Sequence, residues 1–296
     1  MMMTLERTAS QPAGSKTLLA DRLRTEDFVR LAELLSSQTG IKLPAAKRLM
    51  VESRLRRRVR ELGLACLADY GKLLFEEDGL ARELVHVIDA VTTNKTDFFR
   101  ESDHFDCLAN RIVPTLLAGR GEGRQPTLKI WSAASSTGAE AYTIAMVMSD
   151  IASVTGSFRF AILGTDVSTA ALAAAERAVY PAEMAAPVPQ DLQDRYLMRG
   201  RDADSRSRVR IVPELRRLVR FERLNLMDRA YPFDRDVDVI FLRNVLIYFE
   251  KATQEEVVLR LLSHLRPGGF LILGHSESMI GTSLRLPQFA PGVFRK

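Results

Sequence analysis

Two hydrophobic patterns divide the chain. Between Asp27 and about Val91, apolar residues recur at the three- and four-residue spacing of amphipathic helices. Beyond about Arg100, short apolar runs alternate with helical stretches, which is typical of a parallel sheet covered by helices. The pattern predicts a small all-helical domain at residues 23–92 and a doubly wound α/β domain at residues 93–296.

The α/β region contains candidate strands, helices and one long insert. The candidate strands are residues 128–132, 158–165, 218–224, 237–242 and 269–274. The clearest helices are 140–149 and 168–178, and Ser168 is a favourable N-cap for the second. Residues 181–217 contain four prolines and a polar stretch, so we predict a less regular insert of functional importance there.

The ends and the composition favour a cytoplasmic protein. Residues 1–22 mix small, polar and charged side chains without periodicity, which predicts a mobile tail. They lack the apolar core of about 7–15 residues that an export signal needs. No apolar run reaches the ~18 residues of a membrane span. The two cysteines, Cys66 and Cys107, form no metal-binding motif, so we expect no metal.

Positive charge concentrates in one predicted helix. The formal net charge of +5 is compatible with nucleic acid, an anionic membrane surface or an acidic protein as partner. Helix 45–62 carries seven cations against two anions, and Arg54, Arg57 and Arg60 recur at every third position beside its apolar stripe. A solvated face is the usual interpretation, but the excess of cations indicates an acidic partner.

A candidate ligand site follows the first two strands. The small residues of 132–138 let a ligand approach the backbone, and the helix that begins beyond them offers free N–H groups. Asp166 ends the second strand, where a carboxylate can accept hydrogen bonds from ribose hydroxyls. A tight turn and a helix-capping aspartate would explain the same residues without a ligand. Because Gly138 is the only glycine of the loop, adenosine fits better than a dinucleotide.

Four sequence blocks resemble the CheR-type chemotaxis receptor methyltransferases. They are Val91–Arg100, Trp131–Glu140, Arg243–Phe249 and Gly274–Ser278. They occur in the family's order, and with the helical segment the similarity covers roughly residues 25–290. The resemblance implies a Rossmann-like class I methyltransferase domain preceded by a small helical domain. It also implies methyl transfer from S-adenosylmethionine to receptor glutamates, which gives methyl esters and S-adenosylhomocysteine.

The resemblance further implies a role for individual residues. The expected cofactor-binding residues are Asn94, Thr96, Arg100, Glu140, Asp166, Asn225, Leu226, Asn244 and Val245. Arg100 and Tyr248 are the candidate catalytic residues, expected near the transferred methyl group. Arg54, Arg57 and Arg60 are expected to face the acidic methylation helices of the receptor. The resemblance also implies a cytoplasmic monomer that reaches the membrane only through its receptor and binds no nucleic acid.

Two positions depart from the family pattern. Family members usually carry two acidic residues and a proline after the loop glycine, whereas Ala139 and Ala141 replace the first acid and the proline here. Members that dock a receptor's C-terminal pentapeptide have extra glycines in the insert, where residues 199–208 contain only Gly200. The resemblance therefore does not extend to a site for that pentapeptide.

The expected chemistry needs little acid–base assistance. A glutamate side chain has an unperturbed pKa of about 4.3, so it is already an ionised nucleophile at neutral pH. Correct orientation of its oxygen can supply ~7–11 kcal/mol of the rate enhancement. Arg100 could hold the carboxylate and Tyr248 could orient the reactants, although a surface ion pair and a half-buried aromatic ring are the plain alternatives.

Two other functions stay open at this point. A nucleic-acid methyltransferase would suit the positive charge, but Arg243–Leu246 is not the Asn-Pro-Pro-Tyr-like motif of base-amino enzymes. Neither Cys66 nor Cys107 follows a proline, as the nucleophile of cytosine-C5 enzymes does. A non-catalytic signalling module that binds S-adenosylmethionine is compatible with the changes at Ala139 and Ala141.

Overall fold

The computed structural model describes residues 21–119, 125–156 and 158–296. Almost all of the tail expected at residues 1–22 lies outside these ranges. The chain divides into two compact units, one that runs to Glu33 and resumes at Leu43–Ala90, and one formed by Leu34–Lys42 with Val91–Lys296. None of the described helices is long and apolar enough to span a membrane.

Helices occupy the described chain up to Val91. They are α1 (Thr25–Thr39), α2 (Arg48–Glu61), α3 (Leu67–Phe75) and α4 (Leu80–Val91). A short 3₁₀ turn at Ala45–Lys47 precedes α2, so together they span most of the predicted basic helix. The apolar stripe of α2 is buried and its intervening arginines are largely exposed, as the helical spacing predicts.

A buried carboxylate joins three helices of the first unit. Glu83 in α4 accepts hydrogen bonds from Arg58 Nε of α2 at 2.8 Å and Arg58 Nη2 at 2.7 Å. It also accepts one from the hydroxyl of Tyr70 in α3 at 3.1 Å. The Glu83 side chain is 6% exposed. The hydrogen bonds from Arg58 outweigh the effect of burial and lower the pKa of Glu83 below its ordinary value.

The second unit alternates strands and helices. Its helices are α5 (Asp103–Cys107), α6 (Val113–Ala118), α7 (Ala139–Thr155), α8 (Thr169–Arg177), α9 (Gln190–Tyr196), α10 (Pro213–Arg216), α11 (Lys251–His264) and α12 (Ser278–Ser283). Its strands are β1 (Thr127–Ala133), β2 (Arg159–Asp166), β3 (Val179–Pro181), β4 (Leu197–Arg201), β5 (Ser207–Ile211), β6 (Val219–Arg223), β7 (Val237–Leu242), β8 (Leu265–Leu273), β9 (Gln288–Ala290) and β10 (Val293–Arg295). Ser168 caps α8 by accepting the Ala171 N–H, which confirms the predicted N-cap.

The main sheet has the order β6-β2-β1-β7-β8-β10-β9. The first five of these strands are parallel, and β10 and β9 extend the sheet in antiparallel fashion. This confirms the doubly wound α/β prediction. The order reverses between β1 and β7, which is the place where open α/β sheets bind ligands.

Alternate strand residues enter two separate cores. Ile130 and Phe241 belong to the core on one face of the sheet, while Trp131 and Leu242 belong to the core on the other. A central strand that is buried on both faces has no exposed side, which explains why the sequence shows continuous apolar runs rather than alternation.

The predicted insert is more regular than we expected. Residues 179–211 contain a second sheet of three strands, in the order β3-β5-β4, with antiparallel pairing. Strand signals are weak there because β3 ends in a proline and β4 and β5 are rich in arginine.

We predict that Glu83→Gln lowers the free energy of unfolding by about 2–3 kcal/mol. This is below the ~3–5 kcal/mol of fully buried pairs, because Arg58 is partly exposed. The stabilisation exists above the ordinary pKa of a glutamate and disappears as pH falls through the lowered pKa of Glu83. Chemical denaturation at neutral and acidic pH measures both effects. The matched control is Glu77→Gln at an exposed position, and equal stability of the two variants at neutral pH would contradict the prediction.

Candidate functional site

A cleft opens at the carboxyl edge of the main sheet, which is the edge where open α/β sheets bind ligands. Its walls come from residues 39–41, the segment 92–100 and the loops that follow β1, β2, β6 and β7. All of these belong to the second unit. The parallel strands bring the loops together because their carboxyl ends meet at one edge.

The expected cofactor-binding residues all line this cleft. They are Asn94, Thr96, Arg100, Glu140, Asp166, Asn225, Leu226, Asn244 and Val245, and Tyr248 lines it with them. Arg54, Arg57 and Arg60 lie instead on the exposed side of α2, in the first unit. The structure therefore brings the candidate cofactor and catalytic residues together in one cleft, whereas the arginines of α2 belong to the first unit.

The loop after β1 forms one wall through its backbone conformation. Ala134, Ser136 and Gly138 have positive φ values of 60°, 51° and 86°. A Cβ on Gly138 would lie 2.8 Å from the Cβ of Ala175, so glycine is required both by the left-handed backbone and by the close contact with α8.

Asp166 ties this loop to the next strand. Its Oδ2 accepts the Ser136 N–H at 2.8 Å and its Oδ1 accepts the Ser168 N–H at 2.9 Å. Asp166 therefore fixes the loops on either side of it, while the cap of α8 is Ser168. Asp166 also lines the cleft, where its carboxylate lies between the loops that follow β1 and β2.

The segment 34–42 contributes to the cleft from an unexpected part of the sequence. Thr39 and Ile41 line it, and the carbonyl of Gln38 accepts a hydrogen bond from Asn225 Nδ2 at 2.6 Å. A Cβ on Gly40 would lie 2.8 Å from Met227 Sδ and 2.9 Å from the Phe249 ring. Helical periodicity in this segment gave no sign of such contacts.

A buried arginine connects the loops at the centre of the site. Arg243 follows β7, and its side chain is 2% exposed. Its Nη1 lies 3.0 Å from Glu140 Oε2, and its Nη2 lies 3.1 Å from Glu101 Oε2 and also donates to the carbonyl of Arg100. Neither Arg243 nor Glu101 was among the expected site residues. Their positions beside Asn244 and Arg100 in the motifs are the only sequence signal for them.

The two carboxylates around Arg243 differ in their pKa. Burial raises the pKa of Glu140, and the charge of Arg243 and the hydrogen bond from Ser132 Oγ at 2.7 Å oppose that shift. Burial acts in the same direction on Glu101, but the hydrogen bond from Asn244 and the charge of Arg243 prevail and lower its pKa. Glu101 is therefore the stable anion of the pair.

Glu277 fixes the loop after β7. Its carboxylate accepts the backbone N–H groups of Asn244 at 2.7 Å, Leu246 at 2.7 Å and Gly274 at 3.0 Å. Asn244 has a φ of 58°, a conformation that costs energy for a non-glycine residue. Glu277 is 3% exposed, and burial raises its pKa against the effect of these N–H donors. This residue holds Asn244 and Val245 in their places in the cleft wall.

Arg100 is carried by a strained segment. Its neighbours Phe99 and Glu101 have φ values of 53° and 54°. The Phe99 N–H donates to Thr143 Oγ1 at 3.2 Å, and Asn244 Nδ2 donates to Glu101 Oε1 at 3.0 Å. Such strain concentrates at functional sites, where surrounding contacts enforce it.

The two candidate catalytic residues differ in exposure. Arg100 is exposed at the cleft and Tyr248 is half-buried.

Comparison with known proteins identifies relatives along almost the whole chain. The family model for the CheR methyltransferase all-alpha domain matches residues 26–92, and that for the CheR methyltransferase SAM binding domain matches residues 94–290. The chain is 39% identical over 277 residues to the chemotaxis protein methyltransferase of Escherichia coli (strain K12), with 92% of each chain covered.

Two further relatives have similar names. The chain is 40% identical over 260 residues to chemotaxis protein methyltransferase 2 of Pseudomonas aeruginosa, covering 87% of this chain and 88% of the relative. It is 34% identical over 272 residues to the chemotaxis protein methyltransferase of Borreliella burgdorferi, covering 92% and 94%.

We predict that Glu277→Gln weakens binding in the cleft and also stability. The amide group cannot accept three backbone N–H bonds, and an unsatisfied buried donor costs about 1–3 kcal/mol. Denaturation should show that loss, and calorimetry should show weaker binding of S-adenosylhomocysteine. Glu256→Gln, at an exposed position of α11, is the control. Wild-type values of both quantities in Glu277→Gln would show that the loop does not depend on this carboxylate.

Proposed function

The chain belongs to the CheR methyltransferase family, and on that premise we propose how its cleft methylates glutamate side chains of chemotaxis receptors. It is an S-adenosylmethionine-dependent methyltransferase that acts on such receptors. One observation supports our assignment of the site most strongly. Residues from three of the four family blocks, which lie as far apart as Asn94 and Tyr248, line a single cleft at the switch point of the sheet.

The mixed polar and apolar lining of the cleft suits S-adenosylmethionine. We infer that Asp166 accepts hydrogen bonds from the ribose, since it lies at the end of β2 and lines the cleft. Leu226 and Val245 supply apolar surface for the adenine ring. Asn94, Thr96, Glu140 and Asn244 supply polar groups for the amino-acid part of the cofactor, and Asn225 lies at the adenosine end.

Orientation of the substrate is the main task of the residues at the cleft. When bound, S-adenosylmethionine supplies an electrophilic methyl group. The receptor glutamate is ionised at neutral pH and needs no general base. Arg100 would hold its carboxylate by a charge-assisted hydrogen bond, and the Tyr248 hydroxyl would fix the geometry of approach. Arg243 is occupied by Glu101 and Glu140, which leaves the exposed Arg100 as the better partner for a substrate carboxylate.

The arginines of α2 are proposed to bind the receptor. Arg54, Arg57 and Arg60 are exposed, and Arg57 forms an ion pair with Glu61 at 2.9 Å. Exposed pairs of this kind contribute little energy, so an acidic helix can replace Glu61 at low cost. We further propose that the protein works as a cytoplasmic monomer, and that methyl transfer requires neither a metal ion nor nucleic acid.

The two departures from the family pattern do not weaken the catalytic assignment. Ala139 and Ala141 are both fully buried in α7, where they pack against the core. Glu140, between them, points to the cleft and contacts Arg243. Ala139 and Ala141 therefore affect the packing of the core behind the cleft lining rather than the residues that face the ligand.

We predict that the purified protein transfers label from methyl-labelled S-adenosylmethionine to membranes that contain chemoreceptors. The product should release volatile label in alkali, because it is a carboxyl methyl ester. Receptors with alanine in place of the modified glutamates should accept no label. If no label appears although cofactor binding is measured and a control enzyme works, the catalytic proposal is wrong.

We predict that Arg100→Ala and Tyr248→Phe each lower kcat/KM by roughly 10–100-fold, because misplacement by about 1 Å can cost ~10²-fold. Binding of S-adenosylhomocysteine to Tyr248→Phe should change little. Steady-state kinetics with receptor membranes measures the first effect, and calorimetry measures the second. Arg229→Ala, at an exposed position away from the cleft lining, is the control. Near-wild-type turnover of both variants would remove these residues from the mechanism.

A further inference from the structure

Two histidines and a glutamate lie together behind the segment that carries Arg100. One ligand atom from each of Glu101, His104 and His275 lies within 4.8 Å of the other two. The two imidazole rings meet edge to face, with 4.8 Å between their centroids. Methyl transfer as described above uses neither histidine. His275 lies more than 170 positions after Glu101 and His104 in the chain, so the cluster exists only in the folded protein.

His104 is buried without a hydrogen-bond partner. It is 1% exposed, and neither ring nitrogen forms a hydrogen bond with any residue that the structure describes. Its Nε2 faces the backbone at Gly292, where an added Cβ would approach to 2.7 Å. Its Nδ1 lies 3.5 Å from Glu101 Oε2 without hydrogen-bond geometry. A buried polar atom without a partner is costly, and a bound water or ion is one explanation for it.

The donor set of the cluster suits a cation. It offers two imidazole rings and one carboxylate, and the carboxylate already lies beside a positive charge, with Glu101 Oε2 3.1 Å from Arg243 Nη2. Neutral imidazole and ionised carboxylate are the forms that bind metals.

We propose that Glu101, His104 and His275 bind one divalent transition-metal ion, with Zn²⁺ as the preferred occupant. Two imidazoles and one carboxylate form an established ligand set for such ions, with remaining positions filled by water. Ligand atoms around tetrahedral zinc are about 3.4 Å apart. The 4.8 Å limit of the cluster therefore requires a small contraction, which the half-exposed His275 can provide by rotating.

Asp103 supplies the expected support around this site. Its Oδ2 lies 3.0 Å from His275 Nε2, while the side chains of His275 and Asp103 are 49% and 55% exposed. A carboxylate on the outer nitrogen of a ligating histidine orients the ring and strengthens its binding to the metal. The exposure of both residues also gives an ion a path to the buried ligands.

Metal binding should affect the cofactor cleft through Glu101. The Oε2 atom that would bind the ion now accepts from Arg243 Nη2 at 3.1 Å and from the His275 N–H at 3.3 Å. An ion on this oxygen competes with the guanidinium, and Arg243 and the neighbouring Asn244 both line the cleft. We therefore expect Zn²⁺ to lower the affinity for S-adenosylhomocysteine several-fold.

The test uses the untagged, full-length protein after removal of metals. Zn²⁺ is titrated by calorimetry, and Co²⁺ is titrated by its visible absorption, which reports the ligand geometry directly. We expect one ion per chain. His275→Ala should weaken binding by at least about 10-fold, and Asp103→Ala by about 10-fold, whereas His86→Ala in the other unit should bind as the wild type does.

The titrations test two separate claims, namely that the cluster binds a metal ion and that this binding affects the cleft. Absence of stoichiometric binding in a folded protein, or equal binding by the wild type and His275→Ala, would overturn it and leave the cluster as a structural contact. Unchanged affinity for S-adenosylhomocysteine in saturating Zn²⁺ would overturn the coupling to the cleft. Because binding is measured without a receptor, failure here is distinct from failure of the methylation assay.

Discussion

The positive charge of a guanidinium group that is buried away from water must be balanced by anions and hydrogen-bond acceptors. The candidate site depends on the groups that balance the charge of Arg243. Its side chain is 2% exposed, and a buried charge without partners would cost several kcal/mol. Glu140 comes from the helix after β1, while Glu101 and the Arg100 carbonyl come from the segment before it. Compensation of one charge therefore fixes three parts of the chain around the same cleft, and the positive φ of Phe99, Glu101 and Asn244 is tolerated because these contacts enforce it.

Glu277 plays the complementary role for the backbone. It presents a buried negative charge to three N–H groups that would otherwise have no acceptor. Arg243 thus holds the loop after β7 by its side chain and Glu277 holds it by its main chain. None of the hydrogen bonds described here joins Arg243 to Glu277, yet both residues hold the loop after β7.

The sequence predicted the parts of this arrangement that depend on local pattern. Asp166 could be identified because it ends an apolar run, and the carboxyl ends of parallel strands must meet at one edge. The partnership of Arg243 with Glu101 could not, because it depends on which loops approach each other across more than 140 residues. The small sheet of β3, β5 and β4 was also missed, since short arginine-rich strands show no clear alternation. β9 and β10 have three residues each, too few for a periodic signal.

The contribution of residues 34–42 limits how far the protein is modular. Family boundaries near residue 92 suggest that the helical part could be exchanged or deleted as a block. Such a cut would also remove Thr39 and Ile41 from the cleft and the Gln38 carbonyl from Asn225. An exchange of the helical region must therefore preserve this short segment if the cleft is to keep its wall, so α1 cannot vary as freely as the other helices of that region.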